Sequence, residues 1–122
     1  MADYSPPYAN GAQPFTSAAS AAITGGTVVE STTTGACAPT SAASSKVLGV
    51  AAHDAPSGGR VSIWPLPGVV HEVTTAVGNT VGDNIVSAAA GGVAQGALAL
   101  GTALGTAMTT AGASAKVRFL GR

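Results

Sequence analysis

Charge is scarce in this chain. Five acidic and five basic residues among 122 make 8% of the sequence and a formal net charge of zero. That excludes a basic face for gathering phosphates, so a nucleic-acid partner is not expected. Near-zero net charge also favours association over life as a free, crowded monomer. Disorder goes with low hydrophobicity and high charge, whereas 46% of these residues are hydrophobic. Cysteine is nearly absent. Cys37 stands alone, which rules out an internal disulfide framework and a cysteine metal cluster and reads as a small buried hydrophobe. The two histidines of the sequence, His53 and His71, are far apart and lack a carboxylate cluster, so no zinc site is expected. The opening Met1-Ala-Asp-Tyr-Ser-Pro-Pro has neither a basic n-region nor an apolar h-region, so no signal peptide is expected.

One stretch is entirely uncharged, from Asp83 to Lys116, and contains Gly101-x-x-x-Gly105, a spacing suited to packed membrane helices. It is built mostly of Ala, Gly, Ser and Thr, with bulky residues only at Ile85, Val86, Val93, Leu98, Leu100, Leu104 and Met108. Its counterpart earlier in the chain carries Glu30, Lys46, His53, Asp54 and Arg60. No membrane partner is therefore expected.

That counterpart exists because the chain contains itself twice. At an offset of 56 residues, Val47–Trp64 falls on Ala103–Leu120 without a gap. Five of those 18 positions are identical: Leu48/Leu104, Gly49/Gly105, Ala51/Ala107, Ala55/Ala111 and Val61/Val117. Arg60/Lys116, Ile63/Phe119 and Trp64/Leu120 keep their character, and upstream Gly26 meets Gly82. In an Ala/Gly-rich chain the identities alone are weak, but the gapless match and its apolar tail indicate a duplicated unit.

Short β segments separated by glycine turns fill both copies. Candidate strands are 18–23, 27–30, 46–52, 60–64, 69–73, 84–88, 101–108 and 115–120, punctuated by Gly25-Gly26, Ser57-Gly58-Gly59, Pro67-Gly68, Gly82-Asp83 and Gly91-Gly92. Val61-Ser-Ile-Trp and Val117-Arg-Phe-Leu show the alternation of half-buried strands. Pro65, Pro67 and Gly68 predict a hairpin that returns 69–73 against 60–64, and 31–45 reads as a loop. The fold class expected is all-β, a small barrel or sandwich built from two pseudo-two-fold repeats, 18–64 and 74–120. A linker hairpin, 65–73, joins them within a single β domain, 18–122.

Residues 1–17 read as an extended N-terminal arm, because Pro6, Pro7 and Pro14 block helix and Asn10-Gly11 marks a turn. Aromatics are only 4% of the chain, yet Tyr4, Tyr8 and Phe15 all lie in this arm. Rings concentrated outside the duplicated unit suit anchors for a partner surface.

Chemistry-bearing constellations are few. His53-Asp54 places a carboxylate beside an imidazole, but it precedes a Pro-Ser-Gly-Gly turn and its repeat partner is Thr109-Thr110, so it reads as a polar turn. His71 and Glu72 point to opposite faces of a predicted strand and cannot act together. The glycine turns lack the lysine and helix of a phosphate loop. No acid/base pair is in sight. No catalytic, cofactor-binding or metal site is expected, and no enzyme.

The order of features resembles the head decoration, or capsid cement, proteins of tailed bacteriophages. That family's arm leads into an Ala-rich strand and a Gly-x-x-Val turn, here Ala18–Ile23 and Gly26-Thr-Val-Val29. Next come Val47-Leu-Gly-Val-Ala51, then Gly59-Arg-Val-Ser-Ile63 with Gly68-Val-Val70, then Gly82-Asp-Asn-Ile85. Leu104-Gly-Thr-Ala107, Ala111-Gly112 and Val117-Arg-Phe-Leu120 match the family's ending. The resemblance implies a protein without a catalytic site that sits on the outer surface of the virion capsid. It implies two partners, the major capsid protein and further copies of itself as a homotrimer. The alternative is another phage structural β module, such as a tail or surface-fibre domain.

Overall fold

The computed structural model describes residues 3–96 and 102–122. They form ten strands: β1 (Phe15–Ala18), β2 (Val28–Ser31), β3 (Cys37–Pro39), β4 (Val47–Ala51), β5 (Arg60–Trp64), β6 (Val70–Thr74), β7 (Asn84–Ser87), β8 (Val93–Gln95), β9 (Gly105–Ala107) and β10 (Lys116–Gly121). A single 3-10 turn, Ala89–Gly91, joins β7 to β8 among the described residues. All pairings between these strands are antiparallel. The strands make two five-stranded sheets, ordered β1-β5-β4-β2-β3 and β6-β10-β9-β7-β8. The all-β fold of two pseudo-symmetric repeats is thus present.

The 56-residue offset holds down to single hydrogen bonds. Phe15 opposite Ile63 becomes His71 opposite Phe119, and Val29 opposite Gly49 becomes Ile85 opposite Gly105. The bridges Ala19–Cys37 and Ile23–Ala55 recur as Thr75–Val93 and Asn79–Ala111. Gly49 and Gly105 explain their own identity. A Cβ on Gly49 would run into the carbonyl oxygen of Trp64, and one on Gly105 into that of Leu120. Neither position has room for a side chain against the neighbouring strand.

Five features differ from the sequence-based expectation. Segment 31–45 contains a strand, β3, and its repeat contains β8; both have only three residues, and Cys-Ala-Pro carries no bulky alternation to reveal one. The 69–73 segment does not fold back on β5. As β6 it pairs with β10 instead, because β5 already has both edges filled, by β1 and β4. Residues 65–73 are therefore no linker hairpin, and β6 stands in the second sheet where β1 stands in the first. The first sheet begins at Phe15, inside the segment expected to be arm, and β1 ends at Ala18, so the strand expected over 18–23 survives only as isolated bridges at Ala19 and Ile23. Of the predicted 101–108 strand only Gly105–Ala107 is a strand; Leu98, Leu100 and Gly101 lie outside the described residues.

Each repeat closes over its own apolar core. In the first, Ile23, Val29, Cys37, Val61 and Ile63 cluster with small alanines. In the second, Val73, Ile85, Val93, Leu104, Val117 and Phe119 do so, and Val28, Val50 and Leu66 join them. Val28 and Val50 belong to the first sheet, so its second face covers the neighbouring repeat. Polar contacts reinforce that seam: Thr40 Oγ1 donates to the Ala88 carbonyl at 3.0 Å, and Ser87 Oγ accepts from Ser44 N–H at 2.8 Å. The equivalents of Val28 and Val50 are Asn84 and Thr106, both half-buried and polar. Likewise Gly91 packs on Thr27 and Val28, whereas its equivalent Gly35 has nothing within 4 Å. The seam does not join equivalent surfaces of the two repeats.

Candidate functional site

The arm is the part of the chain that belongs to neither sheet, and prolines 6 and 7 hold it extended. It crosses both repeats before turning into β1. Asp3 bridges His53, and Tyr4 N–H donates to the Ala52 carbonyl at 2.8 Å, fixing the arm to the end of β4. Tyr8 then bridges Val70 at the start of β6, its carbonyl accepting from Val70 N–H at 2.9 Å. Asn10 and Gly11, with φ of 50° and 74°, form the reversal that leads to β1.

Tyr4 is the keystone of this path. Its half-buried ring packs against the second core and lies on Gly26. Its hydroxyl accepts from Glu72 N–H at 3.1 Å and stands 2.8 Å from His71 Nδ1. With that oxygen already accepting, the O–H donates to Nδ1, which leaves the proton of neutral His71 on Nε2. Nε2–H then donates to the Pro65 carbonyl at 2.8 Å. The imidazole sits between two rings, Tyr4 and Phe119, each with its centroid 5.9 Å away. Burial lowers the affinity of His71 for a second proton, partly opposed by its bond to the Pro65 carbonyl. Burial likewise pushes the Tyr4 hydroxyl up to about 12. Arm, second sheet and connector thus meet at one uncharged, fully bonded histidine.

The three arm aromatics have three different fates. Tyr4 is engaged inside the molecule by both ring and hydroxyl, so folding does use it. Tyr8 is 56% exposed, its hydroxyl held by Asn10 Oδ1 at 3.1 Å. Phe15 is 41% exposed at the free edge of β1, beside Ile63. The structure does not bring the three rings together. Sequence reading missed His71 altogether as the arm's seat; the only signal was the offset itself, which places His71 on Phe15.

The His53-Asp54 pair has a structural role that its repeat partner reproduces. His53 Nε2 accepts from Ser62 N–H at 3.2 Å, as Thr109 Oγ1 accepts from Arg118 N–H at 3.0 Å. Asp54 Oδ1 accepts from Gly25 N–H at 2.8 Å, as Thr110 Oγ1 accepts from Val81 N–H at 3.2 Å. The other ring nitrogen of His53 donates to the Asp54 carbonyl at 2.9 Å. Both nitrogens are occupied by backbone, and two threonines do the same work in the second copy. Among the described residues no group of three or more His, Cys, Asp or Glu is arranged to hold a metal, and no helix is long and apolar enough to cross a membrane.

Comparison with known proteins follows the same outline. Residues 9–122 match the model of a family described as phage cement protein, a span that starts just after Tyr8. Among curated proteins none matches the sequence significantly. Among solved structures, the N-terminal base of the head fibre protein gp8.5 of bacteriophage phi29 is similar, with a TM-score of 0.67 and 19% identity over 90% of this chain and 93% of that one. At that identity the likeness establishes the fold.

Proposed function

The chain belongs to the phage cement proteins, structural proteins of the phage head, and from that premise we propose that it binds the outside of the assembled shell and stabilises the major capsid protein lattice. Membership in a structural family implies a non-enzymatic role and a place in the virion. The observation that carries the proposal is the family match across nearly the whole chain. A protein that binds only the assembled lattice stabilises it by its binding free energy, and many sites on one shell add through multivalency. The low charge and neutral balance of the chain suit a protein whose surface is given over to contacts, including those of the homotrimer we propose. Residues 15–122 act as one β domain in this reading. Tyr8 of the arm and Phe15 at the start of β1 serve as exposed aromatic anchors, and Tyr4 holds the arm in register against His71.

The test is direct. Purified protein is mixed with expanded and with unexpanded empty heads of its phage, and bound copies are imaged. Ordered density on the outer surface of expanded heads, together with a higher melting temperature of the shell, is the expected result. Density nowhere on the shell sinks the proposal. The likeness to the phi29 head-fibre base favours a second reading, in which the domain seats a fibre rather than clamping neighbouring subunits. Bound copies that leave the shell's melting temperature unchanged favour that reading.

A further inference from the structure

Among the described residues, the outer face of the second sheet is open where its twin in the first sheet is covered. Side chains on neighbouring strands at paired positions share a face. Tyr8 bridges Val70, Val70 pairs with Leu120, and Leu120 pairs with Thr106. One step along, Glu72 pairs with Arg118, whose carbonyl takes the N–H of Met108. In the first sheet the positions of Leu120, Thr106 and Asn84 are held by Trp64, Val50 and Val28, and the two valines are buried against the second repeat. Among the described residues, none plays that covering role in the second sheet. Leu120 is 45% exposed, Met108 52% and Tyr8 56%, three of the six large hydrophobics that the described residues expose.

Charge gives this face a sign. Lys116 and Arg118 alternate along β10 on the same side as Leu120, and Arg122 continues the alternation just past its end; these are three of the five basic residues in the sequence. Arg122 reaches across the sheet to Thr106 Oγ1 at 3.1 Å. Glu72 answers Arg118 at 2.7 Å, and at the far end the Asp83 carboxylate is turned to Thr80 N–H at 2.8 Å. We infer that this face, apolar at Tyr8, Met108 and Leu120 and rimmed by Lys116, Arg118 and Arg122, docks an acidic, partly apolar patch on the outer surface of the phage shell. Central hydrophobic anchors within a charged rim are the usual layout of a specific contact, the rim steering approach and the apolar centre holding it. The inference rests on the cement reading and assigns it a surface.

Empty heads of this phage that lack the protein provide the probe. Leu120→Asp should weaken binding to them roughly thirtyfold, as loss of a central anchor does. Lys116→Glu with Arg122→Glu should weaken it about tenfold and flatten its dependence on salt. Thr33→Asp, in the exposed turn between β2 and β3 of the first repeat, should bind like wild type. Each variant is checked by thermal melt. Should Leu120→Asp fail to fold, the double charge reversal on exposed side chains decides alone. Wild-type occupancy by the face variants overturns the inference while leaving the cement reading intact. Failure of the wild type to bind any head removes both. A change in solution oligomeric state with unchanged head occupancy makes the face a contact between copies, and also overturns it.

Discussion

The two repeats have superposable pairing schemes and opposite surroundings. The first turns Val28 and Val50 onto its neighbour; the second leaves Asn84 and Thr106 half-buried, with Arg122 bonded to Thr106. The backbone plan tolerates either, because the constraints it imposes fall elsewhere: on Gly49 and Gly105, on the turn caps, and on the inward residues of each sheet. Duplication has preserved what the strand register needs and released what only a particular environment needs. The position of Phe15 and His71 shows the same division. It is an exposed edge residue in one repeat and the buried seat of the arm in the other.

The largest test of this contrast lies in the cores. Phe119→Ala should cost about 3–5 kcal/mol, as truncation of a buried phenylalanine does. Ile63→Ala, at the equivalent position, should cost about 2–4 kcal/mol. Because Phe119 shares its cluster with Val28, Val50 and Leu66, its loss should loosen both repeats together, visible as one denaturation transition by every probe. Two separated transitions would show that the seam is weaker than the cores.

Next come the paired glycines. Gly49→Ala and Gly105→Ala each force a methyl group into a backbone carbonyl, and at Gly49 a φ of 155° adds strain. Each should lower stability by about 2–3 kcal/mol. Equal losses would confirm that register, not surroundings, fixes these positions; a mild effect at either would break the equivalence.

Tyr4→Phe is smaller and acts only on the second repeat. It leaves Glu72 N–H and His71 Nδ1 without their partner inside the molecule, at a cost of about 1–3 kcal/mol. Hydrogen exchange at Glu72 should quicken while the first sheet stays protected. Uniform loss of protection would place Tyr4 in the global core instead.

The smallest effect is in pH. His71 is held neutral, so its folded affinity for protons lies below the ordinary value of 6.5. Protons then bind the unfolded chain preferentially, and the contribution of His71, complete above 6.5, is lost as pH falls below it. Tyr4 has the opposite sign. Raised from 10.0 to about 12, it contributes below 10 and loses that contribution as pH climbs through 12. His71→Phe, which copies the first repeat's Phe15, should abolish the acid slope. A variant that still weakens as pH falls below 6.5 would assign the slope to another group.

What could be read from the sequence was what depends on neighbours along the chain. β5 was legible to the residue, because Val61 and Ile63 alternate with Arg60, Ser62 and Trp64. β3 was not, because three residues give alternation no length to express itself. The partner of β6 was hidden for a different reason: Gly68 signals a reversal, but which strand edge is vacant depends on β1, more than forty residues earlier. The Tyr4–His71 contact spans 67 residues and uses no motif. The exposed face of β10 was half visible, since Lys116, Arg118 and Leu120 alternate in plain view, but only the sheet order brings Tyr8 and Met108 beside them.

Synthesis from the ribosome makes the seam a matter of timing. Every strand of the first sheet, β1 through β5, is complete once residue 64 has emerged, so that half can fold first. At that moment Val28 and Val50 have no covering and Tyr4 has no histidine to bind. The nascent chain therefore passes through an interval in which a sticky valine surface and a loose tyrosine arm are both on offer to other chains. The interval ends only when β6 to β10 have been made, and chains stalled between residues 64 and 116 are the ones that should require a chaperone.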